Sequence, residues 1–435
     1  MDVLSLLERR DKCFLGGGKG ALYAPPFPKH LLAPGFWDEC FFADIKIPRL
    51  FTVLVLDAQG RPFRFQSTLE SWRPDRLLIR HVSEGLEIIE RRSVVESQAW
   101  VSHFEILRSP GELDFFLWSL PDQREIGYGA PWQSCGDCSV KGKSIGFPWL
   151  TAWPAELEPD RSATEDERVE GLGRMLPALP VYLELGCSLP RKSFSVNLAQ
   201  QHDFGPLWEL SMVPELYTGK LPNEVKQHVG VDAGGLLHIV QHYRWRSGPV
   251  RFAAGAGLTE TAARDSLHQA LRAPVDQSTT EWTDHFRRVP QFACSDPFFT
   301  NAYWYRWYGL RLNTVDVPGL SISGTDASFG PFVTEGVGFF RNFVTYSAQA
   351  HLREVAWMES SALASGILDN LVRVQRLDGS YPGHNYSCRP ARDFYHADFA
   401  TGLHLVRARF PEVDATEWLR SLSAYRSYFQ RDRTG

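Results

Sequence analysis

A β-sandwich followed by a row of antiparallel helices is the architecture this sequence predicts. Three observations predict it. Short segments rich in β-branched and aromatic residues recur, separated by turn residues, over roughly the first 260 positions. Apolar stripes at helical spacing replace them near the C-terminal end. The change is marked by Asp296-Pro297, an acid at a helix cap followed by proline in the first turn.

In chain order, Leu77–Val82, Leu86–Val94, Trp100–Leu107 and Leu113–Leu120 have strand length and strand composition. Leu237–Trp245 and Val250–Ala254 continue the series, and strands at this spacing predict a sandwich. The acidic, polar stretch Glu156–Arg174 reads as a surface loop. Thr259–Ala273 reads as a linker helix with Ala262, Leu267 and Leu271 on one side. These features set a β-sandwich domain at 1–275 and a helical part at 290–435. Within the latter, Phe299, Tyr303, Trp307 and Leu310 form a first stripe. Phe340, Val344, Ala348, Leu352 and Val355 form a second, in a helix pair running from about Gly338 to Gln375. Leu363, Ile367, Leu371 and Val374 form a third. A shorter helix is expected from His396 to Arg409. A capping box at Asp414–Glu417 opens a last one carrying Trp418, Leu422, Tyr425 and Phe429.

Length and composition narrow the function classes. The 435 residues exceed one ordinary core, so two domains are expected. A net charge of −5 with no Lys/Arg run argues against nucleic acid as a partner. The N-terminus lacks a basic region followed by a long apolar core, and no apolar run reaches the roughly 18 residues of a membrane span. Seven scattered cysteines, an odd number, predict a reduced, cytoplasmic protein. Cys135 and Cys138 form a lone CxxC, more in keeping with a loop holding two thiols than with zinc. His351 and Glu354 have no third ligand at metal spacing, so no metal and no cofactor is expected. The aromatic content, with 14 Trp, 14 Tyr and 28 Phe, supplies a core and leaves rings to stack on sugar faces.

Glycoside hydrolysis needs two carboxylates, so acids in loops near rings are the candidates. Glu335, Asp326, Asp378 and Asp398 meet that description. Each has a structural alternative: a helix N-terminal acid for Glu335 and Asp398, a solvated loop residue for Asp326, a turn dipeptide with Gly379 for Asp378. Arg341 is either a clamp for a sugar hydroxyl or an interhelix ion-pair partner. His384 is either a hydroxyl ligand or a structural histidine.

Three stretches resemble the six-hairpin, (α/α)6-barrel glycoside hydrolases, including family 63 and the mannosylglycerate or glucosylglycerate hydrolases. Trp304–Asn313 is similar to their aromatic first helix, and Gly336–Phe343 falls where they enter a second. Leu363–Gly383 is similar to their helix, then Gln, then an Asp-Gly-x-x-Pro loop. The resemblance covers about residues 290–400 and implies a sandwich followed by an incomplete (α/α)6 toroid. It implies a glycosidase acting on a glucoside or small saccharide with inversion. Together with the loop acids and rings above, the candidate substrate-binding residues are Tyr303, Trp307, Asp326, Arg341, Asp378, His384 and Asp398. Family members carry a Trp-Asp pair where this sequence reads Phe340-Arg341, so the expected acid is missing; either Glu335 or Asp326 substitutes, with Glu335 the catalytic candidate, or the catalytic arrangement differs.

Twelve barrel helices need about 350 residues, far more than lie between Pro290 and Gly435. The resemblance therefore implies a second carboxylate beyond Gly435, either in a longer enzyme or in a second chain, with the longer enzyme favoured. An open half-barrel is also expected to expose stripes such as Leu363–Val374. Two rival readings remain. One is a disaccharide phosphorylase, for which only Arg341 and Arg353 offer phosphate ligands. The other is a non-catalytic carbohydrate-binding protein.

Overall fold

The computed structural model describes residues 2–23, 30–95, 99–120, 132–135, 138–152, 179–199, 224–225, 236–338, 340–389, 391–394 and 396–432. They fall into two compact units. The first comprises Met1–Gly16, Gly20–Thr151 and Pro180–Trp282, the second Gly17–Lys19, Ala152–Leu179 and Thr283–Gly435. The expected surface loop at 156–174 lies outside the described residues, as do Gly136 and Asp137 of the CxxC.

The first unit is β-rich. A nine-stranded sheet runs in the order Trp132–Cys135, Ser144–Ala152, Leu179–Cys187, Val250–Gly257, Ala99–Arg108, Leu86–Val95, Arg76–Ser83 and Gln66–Arg73, with Ser139–Lys141 beside Ser144–Ala152. A six-stranded sheet runs Glu224–Val225, Arg191–Ala199, Leu236–Trp245, Leu113–Ser119, Phe51–Asp57 and Gly35–Phe36. Among the described registers of both sheets, only Ser195 with Glu224 and Val196 with Val225 pair in parallel. Alternation along the strands sends one face of each sheet into a shared core. Phe104 and Phe252 of the larger sheet meet Phe115 and Tyr243 of the smaller edge-on. The far face of the smaller sheet holds Phe116, Trp118 and Val240 against Trp37 and Leu120. A four-stranded sheet from Leu15 to Ile47 completes the β structure of this unit.

The helices are α1 (Val3–Leu6), α2 (Glu260–Arg272), α3 (Gln277–Arg287), α4 (Pro297–Leu312), α5 (Thr345–Val355), α6 (Ala362–Val374), α7 (Phe399–Arg409) and α8 (Thr416–Asp432). The linker helix is α2. The Thr259 hydroxyl caps it by accepting from Ala262 N. It lies directly on the larger sheet because Gly255 offers no side chain there. A Cβ at Gly255 would stand 2.3 Å from the Ala263 carbonyl oxygen. Among the described residues, no helix is long and apolar enough to cross a membrane.

In the helical unit, Asp296 caps α4 with Pro297 at its start. The stripe of α6 differs from expectation: Leu363, Ile367, Leu371 and Val374 are buried, not exposed. Contacts along α6 explain it. A Cβ at Gly366 would stand 2.3 Å from the Pro331 carbonyl oxygen, so the preceding loop lies flat on the helix. On the α8 side, Trp418 Nε1 donates to Asp369 Oδ1 at 2.8 Å, and Gln375 Nε2 donates to the Ser421 carbonyl at 2.8 Å. The second stripe also needs correction. Helix α5 begins at Thr345, and Phe340 lies outside it. Phe343 and Val344 are instead extended and pair with Asn385 and His384. Helix α7 begins at Phe399, not His396, because Asp398 caps it. At α8, Asp414 accepts from Thr416 N at 3.0 Å, but Glu417 turns forward to Arg420 instead of closing the expected capping box.

Candidate functional site

Two loops meet at one end of the helical unit, one following α4 (316–344) and one following α6 (375–398). Asn370, fully buried on α6, holds the first of them. Its Oδ1 accepts from Gly330 N at 2.8 Å and its Nδ2 donates to the Gly330 carbonyl at 3.1 Å. The loops join at Ser323 N, which donates to the Tyr386 carbonyl at 2.9 Å. They join again in a three-stranded sheet of Phe343–Val344, Pro382–Asn385 and Arg392–Phe394. The Thr345 hydroxyl donates to the Pro382 carbonyl at 2.9 Å and fixes the start of α5 to this sheet.

The sheet carries a stack of flat groups. His384 lies in the central strand and Tyr386 just beyond its end. The Phe340 and His384 rings lie 6.0 Å apart at 21°, and the His384 and Tyr386 rings 6.2 Å apart at 17°. The Arg389 guanidinium carbon sits 4.4 Å above the Tyr386 ring. Phe340 is 43% exposed, the most exposed ring of the three. The Asn342 side-chain amide nitrogen and His384 Nδ1 are in hydrogen-bond contact at 3.2 Å. A part-exposed ring beside an amide and an imidazole is a combination that suits a sugar, whose C–H faces stack on rings and whose hydroxyls hydrogen-bond polar groups.

The residues singled out in the sequence divide into those the structure gathers here and those it does not. His384 belongs to the stack. Arg341 is 2% exposed, with Nη1 donating to the Leu312 carbonyl at 3.4 Å, so it supports the loop and does not lie at an open surface. Glu335 and Asp326 are both exposed on the loop that carries Phe340. Glu335 precedes no helix directly, since α5 starts ten residues on.

Asp378 and Asp398 have structural partners. Asp378 Oδ1 accepts from Ser380 N at 2.9 Å and from Ser380 Oγ at 2.7 Å, an Asx turn whose bonds hold the carboxyl below its ordinary range. Asp398 accepts from Thr401 at the start of α7 and pairs with Arg353 at 3.1 Å; the Thr401 bonds and then Arg353 lower its pKa. Asp398 also borders an open groove of about 890 Å³ lined by Gln349, His396, Phe399, Tyr425, Arg426 and Phe429. Tyr303 lies nine residues before Leu312, roughly 14 Å along α4 from the loop end. Its hydroxyl donates to the Pro290 carbonyl, and its ring touches Phe292, Trp304 and Trp307. Trp307 is buried in the helical core.

Sequence reasoning missed Asn342, Tyr386 and Arg389, and assigned Phe340 to a helix. The available signal was the alternation His384, Tyr386 after a Pro-Gly pair, which marks a short strand. Among the described residues, no group of three or more His, Cys, Asp or Glu is placed to hold a metal ion.

No protein-family model matches the sequence, and no curated protein matches it. Solved structures do. The family GH92 alpha-mannosidase BT3965 from Bacteroides thetaiotaomicron matches 94% of this chain at a TM-score of 0.52 and 9% identity. The fold is glycoside hydrolase-like. The match covers 50% of the mannosidase, so the chain spans about half its length. A bacterial glucoamylase complexed with acarbose matches 89% of the chain and 54% of its own at 11% identity and a TM-score of 0.48. The inverting GH92 mannosidase BT2199 from Bacteroides thetaiotaomicron matches 85% of the chain and 44% of its own at 11% identity and 0.47. The likeness supports this glycoside hydrolase-like fold and not family 63 in particular.

Proposed function

We propose that residues 1–435 form part of a glycosidase acting on a glucoside, mannoside or similar small saccharide. The observation that carries this reading is the stack of Phe340, His384 and Tyr386, with Phe340 43% exposed, at the loop end of the helical unit, in a fold shared with an alpha-mannosidase. In this reading 1–275 is the sandwich domain and 290–435 the first part of an (α/α)6 barrel, as the family-63 resemblance also implies. The sugar ring stacks on Phe340. The His384 imidazole hydrogen-bonds a hydroxyl, and Asn342 orients the ring. Glu335 is the acid contributed by this portion and Asp326 a hydroxyl ligand on the same loop. Arg341 and Trp307 support the loops from within, Asp378 shapes the turn leading to His384, and Tyr303 and Asp398 are peripheral contacts. The mechanism is inverting, with the second carboxylate outside residues 1–435 and a water between the two acids. The described free cysteines support a reducing, cytoplasmic setting.

Calorimetry of the chain with methyl α-mannoside, methyl α-glucoside and their disaccharides tests the site. Binding by the unmodified chain, weakened about tenfold or more by Phe340→Ala, is expected from the loss of a stacking face. Absence of binding to the whole panel, or unchanged binding by Phe340→Ala, removes the reading.

A second reading, a non-catalytic carbohydrate-binding protein, is favoured by one observation: Asp378 and Asp398 are engaged in a turn and a helix cap. Sugar binding without turnover by a protein carrying the rest of the barrel selects it. The phosphorylase reading loses support, because Arg341 is buried and Arg353 pairs with Asp398.

A further inference from the structure

In the larger sheet, His103 stands directly opposite Arg91 on one neighbouring strand and Arg251 on the other. Directly opposed residues of antiparallel strands project to the same face, so Arg91, His103 and Arg251 form a cross-strand row. His103 therefore has a guanidinium-bearing residue on either side, and both positive charges fall on one face of the sheet. The described carboxylates offset these charges only in part. Asp75 lies 3.4 Å from Arg91 but makes two 2.9 Å bonds with Arg73, so one acid serves two guanidiniums. Asp276 adds a weaker field at Arg91, and Arg76 opposes it. No carboxylate pairs with Arg251 among the described residues. Its Nη1 donates to the Ala270 carbonyl at 2.9 Å and to the Ala273 carbonyl, at the end of α2.

The row faces a small cavity. The connection between α2 and α3, from Ala273 to Gln277, closes it, and Ser93 and Ser278 complete the wall. The space open to the centre of a water-sized particle is about 10 Å³, enough for one such particle and too little for a tetrahedral oxyanion. Two buried nitrogens there, His103 Nδ1 and Arg91 Nε, have no hydrogen-bond partner. Burial, then Arg251 and Arg91, hold the His103 pKa down to about 4, so the ring is neutral at pH 7 and has one N–H to donate.

We infer that this cavity binds a monovalent, halide-sized anion, chloride in a cell, between Arg91, His103 and Arg251. The anion offsets the paired guanidiniums and ties the α2–α3 connection to the sheet. The site lies in the β-rich unit and is independent of the sugar-site reading.

Bromide is the probe. Crystals of the unmodified chain grown in sodium bromide are expected to show an anomalous peak within hydrogen-bond reach of the Arg251 guanidinium and the His103 ring. Thermal unfolding in sodium chloride is expected to exceed that in sodium gluconate of equal ionic strength by about 2–4 °C, saturating with chloride. The folded Arg251→Gln variant is expected to lose that difference. Lack of the bromide peak overturns the inference. So does a peak without the chloride-specific shift, which marks an adventitious ion only, and so does a shift retained in Arg251→Gln. Should that variant not fold, the peak and the shift in the unmodified chain decide the matter together.

Discussion

Asn342 Nδ2 and His384 Nδ1 are in hydrogen-bond contact at 3.2 Å across the pair of loops that flank α5 and α6. That bond joins residues 42 apart in sequence and orients the imidazole. Both groups are buried, at 1% and 8% exposure, so neither rotates freely to find water.

Asn342→Leu is therefore expected to weaken sugar binding by about 1–2 kcal/mol, roughly five- to thirtyfold, by releasing the His384 ring and removing a hydrogen-bond partner of its buried Nδ1. Calorimetry measures it, and the chemical shifts of the His384 ring nitrogens report the lost bond directly. Unchanged shifts with weakened binding would assign the loss to packing.

Glu335→Gln, placed in a protein that carries the rest of the barrel, is expected to lower kcat by a factor of about 10² to 10⁴ with little change in sugar affinity. Steady-state kinetics on an α-mannoside or α-glucoside measures it. Unchanged turnover removes Glu335 from the mechanism and leaves Asp326 as the acid to examine on the same loop.

Gly366→Ala is expected to destabilise the chain by about 1–3 kcal/mol. The added methyl meets the Pro331 carbonyl oxygen and ring carbons at 2.3 to 2.6 Å, and Asn370 prevents the loop from lifting by bonding both sides of Gly330. Urea unfolding checks the magnitude. Because this loop carries Phe340, sugar affinity is expected to fall as well.

The β-rich unit holds a buried carboxylate whose titration predicts acid sensitivity. Glu90 is fully buried and accepts from Gly35 N at 2.8 Å, Ser102 Oγ at 2.5 Å, His81 Nε2 at 2.8 Å and Arg92 Nη2 at 2.8 Å. Burial alone would raise its pKa, but the Arg92 charge and the His81 and Arg92 bonds overcome it, and the value falls from 4.5 to about 2. A carboxylate with a depressed folded pKa adds stability above its unfolded value, and that stability is lost as pH falls from about 4.5 towards 2. Glu90→Ala is expected to cost about 3–5 kcal/mol at pH 7, because Arg92 is then left buried without its acid. Unfolding midpoints measured from pH 7 to pH 3 check both statements.

A buried histidine extends the window upward. His285, held by burial and then by Arg311, has its pKa lowered from 6.5 to about 3. The unfolded chain binds this proton first, so stability falls as pH drops below 6.5, by up to about 1.4 kcal/mol per pH unit for one such histidine. His285→Gln is expected to flatten the dependence between pH 6.5 and 4.5, above the range in which Glu90 titrates.

The elements legible in the sequence are those whose cause is local. Helix α2 with its Thr259 cap, α4 with Asp296-Pro297, α6 with its apolar stripe and α7 with Asp398 all follow from spacing and end chemistry within a few residues. The strands from Arg76 to Ser119 follow from β-branched and aromatic runs between turn residues. The turn at Asp378-Gly379 is local too, and Gly379 adopts the φ of +93° that a non-glycine residue resists.

The candidate site was legible in part, for a reason visible at Phe340. Its spacing to Val344 and Ala348 suits a helix, so one-dimensional periodicity assigns it there. The backbone of Phe343 and Val344 instead finds hydrogen-bond partners at Asn385 and His384, and that long-range pairing outweighs a weak local preference. Sequence alone thus determined the order β-rich then helical, most helix starts, and the presence of rings and acids in the loops. Tertiary structure decided that Phe340, His384, Tyr386 and Arg389 stack, that the α6 stripe is covered, and that Arg91, His103 and Arg251 stand in one row. Each of those outcomes depends on which distant strand or loop a backbone segment pairs with, and pairing partners leave no periodic trace in the chain itself.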